Sequence, residues 1–225
     1  MKKILIFILS LVPVICFPQI NQFQYPEIKK EGKNITDFVP KGWTIMDEVS
    51  GEFNLDKLND IALIIKSNKV LNADSTDPGS GFAPKILMIL FKQPDKTWKL
   101  SCVATKIFDT TQAGVQNCHP YKGIKAMHDT LTITFATGGT VVDNTTYYFR
   151  FQNNDWCLVG KYMKEDDMQK SMGVYLVSYE SVNFISGKVE SGKYDPDTKR
   201  NKYDEKEIKV KPLIKLSEFD NRNED

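Results

Sequence analysis

Beyond its first residues, the chain holds no long apolar segment with the 3.6-residue period of an amphipathic helix. Its apolar residues come instead in runs of strand length, divided by clusters of Gly, Pro, Asn and Asp. Ile61-Ala62-Leu63-Ile64-Ile65 is unbroken and suits a strand buried on both faces. Lys85 to Phe91 is a second such run, Pro94-Asp95-Lys96 is a turn, and Thr97 to Val103 alternates and returns as a hairpin partner. Leu131 to Phe135, Thr145 to Phe151 and Trp156 to Val159 read as a meander, broken at Gly138-Gly139 and at Asn153-Asn154-Asp155. Such tight turns make neighbouring strands antiparallel. Val174 to Tyr179 and Val182 to Ile185 add two short strands. Residues 67–84 and 105–122 read as polar loops, and Asn34 to Pro40 as one helical turn that Pro40 ends.

These signals predict a mainly β protein with a few short helices. The expected architecture is an antiparallel meander sheet in a single compact domain over residues 35–220. Residues 19–34 are polar and aperiodic and read as a flexible lead-in; residues 221–225 read as a disordered tail. From Gly187 onward the chain carries ten basic and ten acidic residues, which reads as a solvated surface segment. Within it Ile208 to Leu216 alternates and suits an edge strand, because Pro212 cannot sit in a central one.

The first residues carry a different message. Met1-Lys2-Lys3 precedes an apolar run from Ile4 to Cys16, matching the charged and apolar regions of a secretory signal peptide over residues 1–18. The run is too short for a bilayer, which takes ~20 residues, and no later run spans one. The expected product is exported, to the periplasm, outer envelope or extracellular space. Cys16 raises a lipid tether as an alternative, although Ile15 stands where a lipoprotein signal needs a small residue. Loss of Lys2 and Lys3 turns the formal charge of +1 into −1. A near-neutral chain lacks the basic footprint of a nucleic-acid binder.

Export also puts the cysteines in an oxidising compartment. Cys102, Cys118 and Cys157 remain, an odd number that allows at most one internal bridge. Cys102–Cys118 is the first expectation and Cys102–Cys157 the second. His119 and His128 are the two groups suited to acid–base work near neutral pH. His119 adjoins Cys118, but sequence adjacency does not build a nucleophile–base pair. Asp166-Asp167 and Glu48 with Glu52 are carboxylate pairs of the kind a glycosidase uses. Trp43, Trp98 and Trp156 suit either sugar stacking or a β core, and the core is the expectation.

One segment has stronger chemical character. In Gly51-Glu52-Phe53-Asn54-Leu55-Asp56-Lys57-Leu58-Asn59-Asp60, side-chain oxygens recur at Glu52, Asn54, Asp56 and Asp60. Calcium takes 6–8 oxygens, and alternating carboxylates and amides in a loop supply them. Those four residues are therefore candidate calcium ligands. Lys57 occupies the place where a calcium loop carries Gly. The competing reading is a tight acidic turn leading into the buried strand.

This loop and the strand that follows resemble the FG-GAP/VCBS-type unit, a Gly-Asp-Leu-Asn-x-Asp-Gly-x-x-Asp loop feeding an apolar strand. A single copy in about 200 mature residues implies no full propeller. From about residue 35 to 220 the chain also resembles uncharacterised exported proteins and lipoproteins of bacteria, common in the Bacteroidetes. The shared landmarks are Asp37 to Trp43, Phe149 to Trp156, Asn183 to Lys188 and Lys211 to Phe219. The resemblance implies an exported protein, with calcium as the one implied cofactor, and brings no activity. The expected role is non-enzymatic, binding an envelope or surface partner. The alternatives are a secreted hydrolase acting on glycan or peptide, and a lipid-tethered subunit of an envelope assembly.

Overall fold

The computed structural model describes residues 23–71, 81–108, 121–138, 141–167, 175–195, 198 and 200–221. Twelve strands and one 3-10 turn (Ile35–Phe38) make up the regular structure of these residues. The strands are β1 (Glu31–Gly32), β2 (Trp43–Gly51), β3 (Asp60–Ser67), β4 (Lys85–Lys92), β5 (Trp98–Ala104) and β6 (Tyr121–Met127). They continue with β7 (Thr130–Gly138), β8 (Val141–Gln152), β9 (Asp155–Asp167), β10 (Tyr175–Asn183), β11 (Lys188–Asp195) and β12 (Arg200–Glu207).

They form two antiparallel sheets. The first has the order β1-β5-β4-β3-β2, and the second runs β6 to β12 in sequence order. The mainly β, single-domain expectation holds, with two stacked sheets and neither a closed barrel nor a propeller.

Two buried clusters explain the layering. Ala62, Ile64, Leu87, Ile89 and Cys102 of the first sheet face Ile124, Leu131, Ile133, Phe135, Tyr147, Phe149, Trp156 and Leu158 of the second. The alternate residues Ile61, Leu63, Ile65, Ile86, Met88 and Leu90 point the other way and pack with Ile28 and Phe38. Strands β3 and β4 are thus buried on both faces, which their unbroken apolar runs require. The second covering is supplied by the chain before β2. There Phe23 and Tyr25 pack on Trp43, and the Leu100 N–H donates to the Lys30 carbonyl at 2.8 Å. Residues 23–34, expected as a loose lead-in, are therefore ordered: Tyr25 and Ile28 pack over the first sheet, and Glu31–Gly32 join it as β1. The 3-10 turn beside them is held by Asp37, whose Oδ2 accepts from the Lys33 and Asn34 N–H groups at 2.9 Å each. Those backbone donors, Asn34 first, hold its carboxyl below the usual range.

Four expectations are corrected. The charged segment after Gly187 contains two strands, β11 and β12, with a continuous backbone ladder and cross-strand ion pairs from Lys188 to Glu205 (3.2 Å) and from Lys206 to Glu180 (3.6 Å). Val174 to Ile185 holds one strand, β10, with Phe184 and Ile185 in the turn that follows. Tyr121 to Met127, a stretch with no strand assigned from sequence, is β6. The expected edge strand at Ile208–Leu216 reduces to an extended segment bridged to β9 only at Lys215 and Cys157. Residues 1–22 and 222–225, and with them the expected signal peptide and Cys16, lie outside the described residues.

Candidate functional site

The acidic loop is closed on itself. Asn54 Oδ1 accepts the Asp56 N–H at 3.2 Å, Asp56 Oδ1 accepts the Leu58 N–H at 2.8 Å, and Glu52 Oε1 accepts the Lys57 N–H at 2.6 Å. Leu55 and Lys57 both take left-handed backbone, at φ 62° and 69°. Lys57 thus adopts the conformation for which a calcium loop keeps Gly. Asp60 has a different task. It is fully buried at the head of β3, where its two oxygens accept the Phe53 N–H at 3.0 Å and the Lys92 N–H at 2.9 Å. One carboxylate thereby fixes the loop to β3 and to the end of β4. Burial pushes its pKa up, while those two N–H donors act against the shift. Phe53, inside the loop, is buried edge-to-face on Trp156 with centroids 5.5 Å apart.

Among the described residues, no three His, Cys, Asp or Glu side chains gather so as to hold a metal ion. Glu52, Asn54, Asp56 and Asp60 share one loop, but their oxygens serve the backbone of that loop and of β4.

The remaining expected groups are dispersed. Cys102 and Cys157 are both free thiols, on different sheets, so the second-choice bridge is not formed. Cys118 and His119 lie outside the described residues, and with them the Cys102–Cys118 pair and the Cys–His pair. Burial, then the Asp155 carboxylate, push the Cys102 thiol up to about 12, the value of an inert core thiol. His128 sits in the β6–β7 turn at φ 54°. Asp166 and Asp167 end β9, and their side chains are outside the description. Trp156 is buried and donates from Nε1 to Ser101 Oγ at 3.0 Å, tying the two sheets together. Trp43 and Trp98 pack on the outer cluster of the first sheet. All three tryptophans are therefore core or near-core residues, as the sequence reading favoured.

Two arrangements were not visible in sequence. At one corner the Tyr121 hydroxyl donates to Asp47 Oδ2, where β2 and β6 run side by side. Both residues flank register shifts in their strands. Burial, and then this bond, drive the Tyr121 hydroxyl pKa upward.

The second arrangement lies on β8 to β12. Among the described residues, β10, β11 and β12 place none in either buried cluster, and Val189 is the one hydrophobic residue of theirs that is buried. Directly paired residues of adjacent strands share a face. The register pairs Tyr148 with Gly160, Tyr162 with Ser181, Tyr179 with Gly192, and Gly192 with Tyr203. Residues two apart on one strand also share a face. Tyr148, Tyr162, Tyr179 and Tyr203 therefore cross the sheet as one oblique row. The row lies on the side opposite the buried Thr145 and Tyr147.

Gly192 makes room for one ring of the row: a Cβ there would collide with Tyr179 Cε1. The Tyr162 and Tyr179 rings are 6.0 Å apart and tilted by 31°. Tyr203, 70% exposed, and Tyr194 stand beyond Tyr179 around a small hollow of about 50 Å³. Burial, then Tyr162, raise the Tyr148 hydroxyl pKa.

The opposite face of the same strands holds a trough of about 620 Å³, whose lining includes Thr145, Met163, Glu180, Ser191, Lys193 and Asp204. Ser178 donates to Glu165 Oε2 at 2.9 Å within it.

No family model matches the chain, and no curated protein or solved structure does either.

Proposed function

We propose that this is an exported, non-enzymatic binding protein whose ligand is a saccharide chain laid along the tyrosine row. The observation that carries the reading is the row itself: four tyrosines on one sheet face, Tyr148, Tyr162 and Tyr179 half-buried and Tyr203 exposed, with the Tyr179 ring seated over Gly192. A pyranose ring presents a flat face of C–H groups and an edge of hydroxyls. A tyrosine offers an apolar ring for the first and a hydroxyl for the second. A row of such rings suits successive sugars of an extended chain. The signal-like N-terminus and the resemblance to exported bacterial proteins support an envelope setting, where glycans are abundant. Lipid tethering at Cys16 is compatible with this reading and is not needed for it.

Affinity electrophoresis of the purified protein through gels containing soluble polysaccharides tests the proposal. At least one neutral polysaccharide should retard the wild type, and a Tyr162→Ala/Tyr179→Ala variant should migrate as in a sugar-free gel. Equal retardation of wild type and variant, or none across xylan, mannan, glucan and arabinan, would sink it.

A further inference from the structure

We propose that the cavity beneath the extended segment 208–214 binds a small anionic amphiphile, an alkyl chain ending in a carboxylate. This site is separate from the tyrosine row and does not depend on it. The segment is a strap held at both ends. The Ile208 N–H donates to the Gly187 carbonyl, and the Leu158 N–H donates to the Ile214 carbonyl, each at 2.8 Å. Between these anchors it is extended, with no strand pairing. The space enclosed is about 400 Å³, lined mainly by Leu158, Phe184, Ile208, Val210, Leu213 and Ile214. That volume lies within the range of small-molecule sites, roughly 300–1,000 Å³.

The strap is seated closely at one end. Gly187 takes φ +78°, and a Cβ there would collide with the Ile208 carbonyl oxygen and stand 3.2 Å from Val210 Cγ2. Glycine is needed at that anchor for both the backbone angle and the approach.

Charge selects the occupant. Lys209 and Lys211 also line the cavity, and among the described residues neither has an ion-pair partner. The neighbouring lysines differ: Lys188 is held by Glu190 and Glu205, Lys206 by Glu180, and Lys215 by Asp155. The site thus combines an apolar interior with two uncommitted cations on long, mobile stems. Of the lining residues, Ile208 and Val210 are 40% and 50% exposed and leave the mouth open. An alkyl chain would cover them, and its carboxylate would meet Lys209 and Lys211.

Calorimetric titration of the purified protein with decanoate, below its micelle concentration, and separately with decanol, tests this. The expected result is saturable one-to-one decanoate binding. Lys209→Glu/Lys211→Glu should weaken decanoate by about tenfold and leave decanol unchanged, because only the charged contact is lost. Val210→Glu should abolish both. The lysine variant alters exposed side chains only, so it reports even if Val210→Glu unfolds. Absence of saturable decanoate binding at millimolar concentration would overturn the proposal. So would equal effects of the lysine variant on decanoate and decanol. Binding to phosphatidylglycerol vesicles without decanoate binding would also overturn it, in favour of a membrane surface.

Discussion

Strands β3 and β12 each have eight residues and sit in opposite surroundings. Seven residues of β3 are buried, and all eight of β12 are exposed. In β3 each apolar side chain removed from water contributes roughly 1.5–3 kcal/mol. In β12 the ladder to β11 and the Lys188–Glu205 pair do the holding, and exposed pairs contribute at most about 1 kcal/mol. The comparison separates a half that holds the fold from an overhang that offers surface. The mixed charges of β12 have a further use. They line the open edge of the second sheet, where an apolar strand would invite pairing with another chain.

The largest effects should come from attacking the closed half. Ile64→Ala or Leu87→Ala removes a fully buried side chain between the sheets and should cost about 2–5 kcal/mol in chemical denaturation. Asp60→Ala should come next, at roughly 1–3 kcal/mol for each backbone N–H left without a partner. Asp60 also has a pH signature. Its folded pKa lies above the unfolded value, so the folded state holds that proton more readily. Its contribution to stability therefore falls as pH rises from the ordinary carboxylate range through the raised folded value. Asp60→Asn should remove that slope from a plot of stability against pH.

The overhang should respond the other way. Tyr203→Ala should change stability by no more than about 0.5 kcal/mol, since the side chain is 70% exposed, yet weaken polysaccharide retardation. A larger loss of stability there would erase the distinction between the two halves. The smallest expected effect concerns calcium. Because Glu52, Asn54 and Asp56 already satisfy the loop's own N–H groups, millimolar calcium should leave the melting temperature unchanged. A clear upward shift would show that the loop opens to bind the ion.

What the sequence disclosed follows the same division. Strands β3, β4, β5 and β7 to β9 were readable because their order comes from burial, and burial leaves continuous or alternating apolar residues. Strands β11 and β12 were not, because cross-strand charge pairs and backbone bonds look like any solvated stretch. The lead-in was missed for a related reason: Tyr25 and Ile28 are too few to give a period, yet they pack on the outer face of the first sheet. In the acidic loop the residue types were legible but their partners were not. Asp60 reads as a ligand until Lys92, distant in sequence, is seen donating to it. The tyrosine row depends wholly on register. Tyr148, Tyr162, Tyr179 and Tyr203 become neighbours only after β8 to β12 are paired.

Hydrogen exchange followed strand by strand, with and without a retarding polysaccharide, tests the central claim most directly. The account predicts that β3 and β4 exchange only by global unfolding and that β11 and β12 exchange far faster. It further predicts that added saccharide slows exchange in β8 to β12 alone. Uniform protection across both sheets, or slowing confined to the first sheet, would contradict it.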